Sequence, residues 1–366
     1  MRVAITGLGC VTSLGGTADA TFDALCAGAI GIGGPGPFPG RGPVAAIPGG
    51  PHLTSALALT AAREALAGFT SEDLAIVGGS TSGDMVRGEV EYARHLAGEP
   101  VGRELLWAQL CDRPAEIVAR ELGVRGPRLS VSSACTSGAS AVGVAAGWVA
   151  SGRSRAVLAF GADALCGMTV HGFGALGAVS ATPARPFAEE RDGLSLGEGA
   201  AALLLEDAGH ARARGAEILG WVTGYGTAMD AWHMTAPHPE GRGARAAIRK
   251  ALGDLPAGSV GYVNAHGTGT RLNDEMEAAV LRDELPAASV SSVKGALGHT
   301  LGAAGAIELV VTVLALRRGI LPPSAGLGAS LYDRVLREPE RRAVDHAISV
   351  SFAFGGSNAA VRVSRC

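Results

Sequence analysis

The sequence predicts an α/β protein built from two similar halves. Short apolar runs bounded by turn residues are typical of buried strands, and they occur near residues 2–9, 74–79, 128–132, 155–161, 200–206, 217–226, 259–264, 288–292, 347–353 and 359–364. Patterns typical of helices lie between most of them, at 54–67, 136–151, 242–252, 274–284 and 302–318. Each half therefore contains three strands with helical crossovers and then a closely spaced pair, a βαβαβαββ unit with a parallel-rich sheet covered by helices.

Composition limits the class of protein further. The 366 residues are 47% hydrophobic and 18% charged, which favours a large core and disfavours disorder. The formal net charge is -3 without a basic stripe, so no nucleic-acid partner is expected. The six cysteines form no Cys-x-x-Cys pair and follow no secretory signal, so a reducing, cytoplasmic setting is expected.

Two kinds of segment need a specific interpretation. The longest uncharged stretch, 129–152, is long enough to suggest a membrane span. It is rich in small and hydroxyl residues and changes from strand to helix, so we interpret it as a buried strand and a buried helix, without a membrane partner.

Residues 28–51 are rich in Gly and Pro and predict a loop, as do 178–198 and 321–345. None of these loops resembles a linker between domains.

A candidate nucleophile, Cys135, lies where a predicted strand ends and a helix of small residues begins. At the buried N-terminus of a helix, the macrodipole stabilises a thiolate, which is a good nucleophile. The helix that follows carries no charge through Ala150 and is expected to be central. Taken alone, the segment also fits a cysteine that only packs in a crowded helix.

Two histidines, His266 and His299, also follow predicted strands. Each alone is more typical of a structural or surface histidine. Together with Cys135 they lie at the carboxyl ends of strands, where ligands gather in α/β folds. Neutral imidazoles can donate hydrogen bonds to a thioester carbonyl and stabilise an enolate, so the three residues predict a catalytic set.

A Gly-Gly turn in residues 351–358 (SFAFGGSN) joins the last two predicted strands. Glycine allows unusual backbone angles, so backbone N–H groups here are suited to an oxyanion hole. A plain hairpin turn fits the same spacing.

These segments resemble those of the elongating β-ketoacyl-[acyl-carrier-protein] synthases, and the resemblance covers nearly the whole chain. Further matching segments are VAITGLG at 3–9, RPF at 185–187, RDG at 191–193, GEG at 197–199, DAWHMTAP at 230–237, HGTGT at 266–270 and the run from Lys294 to His299. The resemblance implies a thiolase-like fold in which the two βαβαβαββ halves pack in an αβαβα arrangement of layers. The N-terminal half, 1–214, would carry the nucleophilic cysteine, and the C-terminal half, 215–366, the two histidines.

The resemblance also implies a catalytic role for five residues. Cys135 matches the acylated nucleophile. His266 and His299 match the pair that holds the malonyl thioester carbonyl and promotes loss of carbon dioxide. Lys294 matches the lysine beside the second histidine, and Glu277 matches the carboxylate that supports this lysine.

Other positions match substrate-binding residues of the family. Thr268 and Thr270 correspond to contacts with the phosphopantetheine arm. The backbone N–H groups of Cys135 and Phe354 would form the oxyanion hole. Phe354 also corresponds to an aromatic gate over the acyl pocket, and Phe352 is expected to contact substrate.

The implied reaction is a ping-pong cycle of fatty-acid or polyketide/polyene elongation. The acyl group passes from its carrier to Cys135, and malonyl-carrier protein then loses carbon dioxide to give an enolate. The enolate carbon attacks the Cys135 thioester and releases a 3-ketoacyl-carrier protein. No metal or redox cofactor is expected. The implied partners are an acyl carrier protein and a second ketosynthase-like subunit, in a homodimer or a heterodimer.

The sequence departs from the family pattern in three places. The chain is shorter than usual around 40–55, where relatives have a longer, basic segment, and around 325–345. Ala353 stands where the family usually has Gly. Alanine would restrict the gating loop if this position needs positive φ, so altered gating or chain-length preference is predicted.

Several alternatives are less well supported. A degradative thiolase needs a second late cysteine, but only the terminal Cys366 is available, and an initiating synthase has Asn at the position of His299. A chain-length-factor-like subunit usually lacks the cysteine, so an active half of a heterodimer or a non-catalytic acyl-binding subunit remains the alternative.

Two further motifs lack the context that they need. Gly7-Leu8-Gly9 is only part of a dinucleotide-binding fingerprint. His233 and His238 have no carboxylate or cysteine to complete a metal site, so a pair of loop histidines is favoured.

Overall fold

The computed structural model describes residues 1–34, 36, 38 and 42–366. The strands of this part of the chain are β1 (Val3–Thr12), β2 (Ala75–Gly79), β3 (Arg128–Val131), β4 (Ala156–Asp163), β5 (Gly199–Glu206), β6 (Gly220–Met229), β7 (Val260–Asn264), β8 (Ser289–Ser291), β9 (Ile320–Leu321), β10 (Glu340–Arg341), β11 (His346–Phe352) and β12 (Ser357–Ser364). The short strands β9 and β10 pair only with each other, and the other ten form one sheet.

The α-helices of the described residues are α1 (Ala18–Cys26), α2 (Thr54–Ala65), α3 (Met85–Leu96), α4 (Glu104–Trp107), α5 (Arg113–Leu122), α6 (Ser137–Ala150), α7 (Gly167–Ala175), α8 (Ala208–Ala213), α9 (Arg242–Leu252), α10 (Arg271–Glu284), α11 (Lys294–Leu297) and α12 (Ala304–Arg318). Short 3-10 helices lie at Ala257–Ser259, Leu301–Ala303 and Phe354–Gly356.

The ten-stranded sheet has two halves with the same pattern. The strand order is β3-β2-β4-β5-β1-β6-β12-β11-β7-β8. In the first half, β3, β2 and β4 are parallel, and β4, β5 and β1 are antiparallel neighbours. In the second half, β8, β7 and β11 are parallel, and β11, β12 and β6 are antiparallel neighbours. A short antiparallel pairing of β1 with β6 joins the halves, and the predicted two-unit α/β fold is confirmed.

Helices α6 and α12 form the central layer. They pack against each other, α6 also contacts β4 and β12, and α12 contacts β5 and β11. Helices α2 and α5 lie on the outer side of the first half, and α9 and α10 lie on the outer side of the second. A Cβ atom at Gly138 of α6 would lie 2.7 Å from the carbonyl oxygen of Gly302, so glycine allows the close approach at this point. The arrangement of layers is αβαβα, as expected.

The uncharged stretch 129–152 contains the end of β3, a turn and the buried helix α6, as predicted. Among the helices of the described residues, none is both long enough and apolar enough to cross a membrane.

The predicted loops are mostly correct. The described part of 28–51 contains no helix or strand, whereas Pro35, Pro37 and 39–41 lie outside the described residues. The loop 321–345 includes the small strand β10, which the sequence did not predict.

The Gly7-Leu8-Gly9 motif has a packing role. A Cβ atom at Gly9 would lie 2.0 Å from the carbonyl oxygen of Ala61 in α2, so the strand can approach this helix only without a side chain.

Candidate active site

Both halves of the chain contribute to one cavity of about 380 Å³. The predicted site residues that line it are Cys135, His266, Thr268, Thr270, His299, Phe352 and Phe354. Cys135 follows β3, His266 follows β7, and His299 follows β8 and the short helix α11. The cavity thus lies beyond the carboxyl ends of parallel strands, where ligands bind in α/β folds.

A strained turn holds the backbone next to Cys135. The preceding residue, Ala134, has φ of 51°, a left-handed conformation that costs a non-glycine residue about 1–2 kcal/mol. Its carbonyl oxygen accepts hydrogen bonds from Thr81 Oγ1 at 3.2 Å and from Ser137 Oγ at 2.6 Å. These bonds stabilise the turn, which leaves Cys135 at the cavity wall with only 6% of its surface exposed.

The Cys135 thiol is protonated at neutral pH. Burial raises its pKa to about 11. The Lys294 charge lowers this pKa, the Asp163 carboxylate raises it, and hydrogen bonds from the backbone N–H groups of Phe354 and Cys135 lower it. The thiolate that the helix N-terminus is expected to stabilise is therefore not the resting form, because desolvation outweighs the favourable contacts.

Two carboxylates of α10 organise the loop that carries His266. Glu277 accepts the backbone N–H groups of His266 and Gly267, both at 2.7 Å, and Asp274 accepts the N–H of Thr268 at 3.1 Å. The two acids are three residues apart and therefore lie on one face of the helix. Burial raises the pKa of Glu277 to about 8, while the Gly267 N–H lowers it and the Asp274 charge raises it.

The carboxylate partner of Lys294 is Glu308 and not Glu277. Lys294 Nζ forms a buried ion pair with Glu308 Oε1 and donates to the carbonyl oxygen of His266 at 2.7 Å. Burial raises the pKa of Glu308, and the Lys294 charge lowers it. The prediction that Glu277 supports Lys294 is wrong because its oxygens are engaged by the backbone N–H groups of His266 and Gly267.

The hydrogen bonds of the two histidines define their tautomers. Lys294 Nζ lies 3.4 Å from His266 Nδ1, and the backbone N–H of Leu301 donates to His299 Nδ1 at 3.3 Å. Each Nδ1 faces a donor and so acts as an acceptor, which places the proton of the neutral ring on Nε2. The ring centroids are 5.3 Å apart at an interplanar angle of 83°.

Both imidazoles are neutral at physiological pH. Burial lowers the pKa of each well below its ordinary value, and the Lys294 charge lowers both further. Electrostatic repulsion from a protonated His299 also lowers the pKa of His266. The cavity therefore contains two uncharged rings, each with one Nε2–H group available to donate to a ligand.

Asp163, which the sequence interpretation missed, connects the turns of Cys135 and His299. This buried carboxylate accepts hydrogen bonds from Ser80 Oγ at 2.9 Å, from the Thr81 N–H at 3.0 Å and from the Gly302 N–H at 2.6 Å. Burial raises its pKa, and these hydrogen bonds oppose the rise. The sequence signal for Asp163 was its position as the single acid at the end of the apolar strand β4.

The turn between β11 and β12 places the Phe354 N–H at the Cys135 sulfur. Ala353 has ordinary extended angles, φ −134° and ψ 154°, whereas Gly355 and Gly356 adopt φ of 82° and 80°. The condition for the predicted restriction, a positive φ at Ala353, is therefore not met, because the left-handed angles fall on the two glycines, and altered gating stays a prediction. The turn joins two paired antiparallel strands and is therefore a hairpin turn, with left-handed angles at both glycines.

The Phe354 ring stacks on Phe173 of α7, with centroids 5.5 Å apart and an interplanar angle of 23°. About 37% of Phe354 is exposed. The two rings form one wall of the cavity together with Leu176, and neither Phe173 nor Leu176 was predicted.

The loop after β6 packs against the turn after β11. Asn358 Nδ2 donates to Asp230 Oδ1 at 3.0 Å, and the Gly355 N–H donates to the carbonyl oxygen of Met234 at 2.7 Å. His233 and His238 accept backbone N–H groups within this loop through Nδ1. The described residues contain no cluster of three His, Cys, Asp or Glu side chains that would suit a metal ion.

The mouth of the cavity lies at the start of α10. The hydroxyl groups of Thr268 and Thr270 are 2.9 Å apart. Arg271 and Leu272, the first residues of α10, are exposed and also line the cavity. Their side chains add a cation and an apolar group to the two predicted threonines.

Two family models match this chain in separate regions. The model for the β-ketoacyl synthase N-terminal domain matches residues 53–211, and the model for the C-terminal domain matches residues 219–328. Together with the fold and the site, these matches show that the chain belongs to the β-ketoacyl synthase family.

Individual relatives agree with this assignment. The chain is 39% identical over 264 residues to 3-oxoacyl-[acyl-carrier-protein] synthase 2 of Vibrio cholerae, a match that covers 66% of this chain and 63% of that protein. It is 36% identical over 414 residues to the tetracenomycin polyketide synthase ketoacyl synthase alpha subunit of Streptomyces glaucescens, covering 100% and 97% of the two chains. A solved structure, the ishigamide ketosynthase/chain length factor, is 30% identical with a TM-score of 0.93 and covers 100% and 99%.

Proposed function

We propose that this protein is a β-ketoacyl-[acyl-carrier-protein] synthase that elongates fatty-acid or polyketide chains by decarboxylative Claisen condensation. The observation that carries the proposal is one cavity lined by a cysteine thiol and two neutral imidazoles, each with an Nε2–H donor. These groups fit the three needs of the reaction, which are a nucleophile for the acyl group and two donors for an enolate oxygen.

The first half-reaction is acyl transfer to Cys135. The sulfur attacks the acyl thioester while the carbonyl oxygen accepts the backbone N–H groups of Cys135 and Phe354, which already lie at the sulfur. The carbon–sulfur bond to the carrier breaks, and the proton of the Cys135 thiol leaves with the departing pantetheine sulfur. The positive charge of Lys294 favours loss of this proton.

The second half-reaction forms the carbon–carbon bond. The malonyl thioester carbonyl accepts the Nε2–H groups of His266 and His299, and the electron pair released with carbon dioxide moves into the enolate that they stabilise. The enolate carbon attacks the Cys135 thioester, the bond to sulfur breaks, and the released Cys135 thiolate takes a proton from water to regenerate the thiol. Lys294, hydrogen-bonded behind His266, strengthens that donor. The electrons come from the departing carboxylate, so the reaction as proposed uses no metal or redox cofactor.

The proposed partners are an acyl carrier protein and a second ketosynthase-like subunit. The mouth beside Thr268 and Thr270 suits the phosphopantetheine arm of the carrier. The second subunit would cover an exposed apolar surface on α3 and α4, which includes Leu96, Leu106 and Trp107. A homodimer and a heterodimer both fit, and one similar structure is described as a ketosynthase/chain length factor.

Two further properties belong to the proposal. A cytoplasmic location suits the six free cysteines. The division into an N-terminal half, 1–214, and a C-terminal half, 215–366, follows the change from the first set of strands to the second. A non-catalytic role as an acyl-binding subunit is disfavoured, because Cys135 and both histidines line the same cavity.

The test is the intact mass of the protein after exposure to acyl-carrier-protein thioesters of different lengths. We expect a gain equal to one acyl group in the native protein and in Cys111→Ala, which removes a cysteine outside the cavity, and no gain in Cys135→Ala. His266→Ala and His299→Ala should still accept the acyl group but should lose release of carbon dioxide from malonyl-carrier protein. The absence of acylation with every donor, also with a co-purified partner subunit, would contradict the proposal.

A further inference from the structure

The helix that forms one wall of the cavity is capped by a side chain from a different helix. Glu89 of α3 accepts the N–H of Gly167 at 3.0 Å and the N–H of Met168 at 2.6 Å. These groups lie in the first turn of α7, and the preceding residue, Cys166, provides no side-chain cap. Since the first N–H groups of a helix have no partner within it, Glu89 supplies the missing acceptors, and its negative charge is favourable at this helix end.

The absence of a side chain at Gly167 leaves room for the Glu89 carboxylate. A Cβ atom at this position would lie 3.3 Å from both carboxylate oxygens of Glu89, a closer approach than side chains usually make. The angles at Gly167 are not left-handed, so the glycine is explained by space and not by backbone conformation. The Glu89 carboxylate therefore occupies the space that the missing side chain of Gly167 leaves free.

Helix α7 depends on this cap because its own packing is sparse. Only Thr169 and Val170 of its nine residues are fully buried, and elements with few buried contacts open locally at low free energy. Phe173, one turn later, stacks on Phe354 and lines the acyl cavity. The position of this cavity wall thus follows from the position of the first turn of α7.

We propose that Glu89 is a positioning residue that holds the α7 wall of the cavity and thereby determines how well long acyl chains are accepted on Cys135. The inference rests on the proposed function. A two-carbon acyl group on Cys135 is too short to use this wall, whereas a chain of eight or more carbons extends along the cavity past Phe173 and Phe354. Loss of the cap should therefore affect long donors and spare short ones.

The experiment compares the native protein with Glu89→Gln, which retains the size of the side chain but replaces one acceptor oxygen by a donor. Glu99→Gln is the matched control, because it removes the same charge just after α3 from an exposed side chain that forms an ion pair with Arg94. Intact mass gives the rates of Cys135 acylation by acetyl- and octanoyl-carrier protein, and hydrogen–deuterium exchange gives the protection of α7. We expect Glu89→Gln to lower the octanoyl-to-acetyl rate ratio by about three- to tenfold and to increase exchange in α7, with Glu99→Gln unchanged.

A second variant approaches the contact from the other side. Gly167→Ala keeps Glu89 but crowds its carboxylate, and it should shift the rate ratio and the α7 exchange in the same direction. If Glu89→Gln does not fold, Glu89→Asp, whose carboxylate is one methylene further from the two N–H groups, replaces it.

The outcomes separate this inference from the proposed function. An unchanged rate ratio, or a changed ratio without increased exchange in α7, overturns the role of Glu89. If the native protein accepts neither donor, the proposed function fails instead, and the exchange data alone then decide whether Glu89 holds α7.

Discussion

The ion pair between Lys294 and Glu308 gives a direct test of the electrostatics behind the histidines. Their side chains are 2% and 1% exposed, so Glu308→Gln would leave the ammonium buried beside the His266 carbonyl without a countercharge. Removal of one partner of a buried ion pair costs about 3–5 kcal/mol, and we expect the free energy of unfolding in urea to fall by this amount. Glu217→Gln, which breaks the exposed pair with Arg317, should change it by less than about 1 kcal/mol.

Replacement of both partners separates stability from catalysis. The double variant Lys294→Met/Glu308→Leu removes both charges of this ion pair and leaves neither partner unpaired, so the free energy of unfolding should return to near the native value. His266 Nδ1 then lacks the donor that fixes its tautomer, so release of carbon dioxide from malonyl-carrier protein should fall by about 10–100-fold. Acylation of Cys135 should fall less.

Double-mutant cycles decide which carboxylate supports the lysine. We expect a coupling free energy of more than about 2 kcal/mol between Lys294 and Glu308, and of less than about 1 kcal/mol between Lys294 and Glu277. Coupling to Glu277 that equals or exceeds coupling to Glu308 would refute the reasoning.

Three further predictions concern single side chains. Burial lowers the folded-state pKa of His299 below that of the unfolded chain. As pH falls through 6.5, the unfolded chain therefore binds a proton at this residue before the folded protein does. The stability that the neutral His299 ring contributes above pH 6.5 is then lost. The unfolding free energy of His299→Asn relative to the native protein should therefore rise by about 1.4 kcal/mol per pH unit below 6.5, and a constant difference would contradict the buried neutral ring. With the Cys135 thiol pKa at about 11, alkylation of the Cys135 peptide by iodoacetamide should rise about tenfold per pH unit from 8 to 10, and a plateau near pH 8 would show a thiolate at rest. Because Ala353 has ordinary angles, Ala353→Gly should leave the acyl chain-length profile unchanged and lower the free energy of unfolding by about 0.5–1 kcal/mol, whereas a shifted profile would support the gating hypothesis.

Much of the fold was predictable because its strands are buried on both faces. Strands such as β4 and β5 are apolar up to a final acidic residue, with every residue buried, and this pattern is readable without tertiary information. Helices α3 and α7 were not predicted. All but one residue of α3 are at least partly exposed, and α7 contains three glycines, so burial and propensity give weak signals there. Helix α10 begins at Arg271, three residues before the predicted start.

The sequence indicated the candidate catalytic residues that line the cavity but not which residues contact one another. Cys135 and the two histidines could be found because each follows a strand, but the sequence did not indicate which acid faces Lys294. A signal was present: Glu308 is the only charged residue between Ala304 and Leu316, and a carboxylate in such an apolar helix needs a buried partner. The resting protonation state of the Cys135 thiol could not be predicted, because a local motif shows the helix end but not the depth of burial.

The central layer contains one helix from each half, so its two helices are synthesised at different times. Helix α6 has no charged residue and ten of its fourteen residues are buried, partly by α12, which the ribosome completes only after residue 318. At about 5–20 residues per second, synthesis from the end of α6 to the end of α12 takes on the order of 10–30 s. The apolar surface of α6 stays exposed during this time. We therefore expect the nascent first half to bind chaperones that hold apolar segments. Genes that encode the two halves as separate chains should yield insoluble first halves unless both are made together.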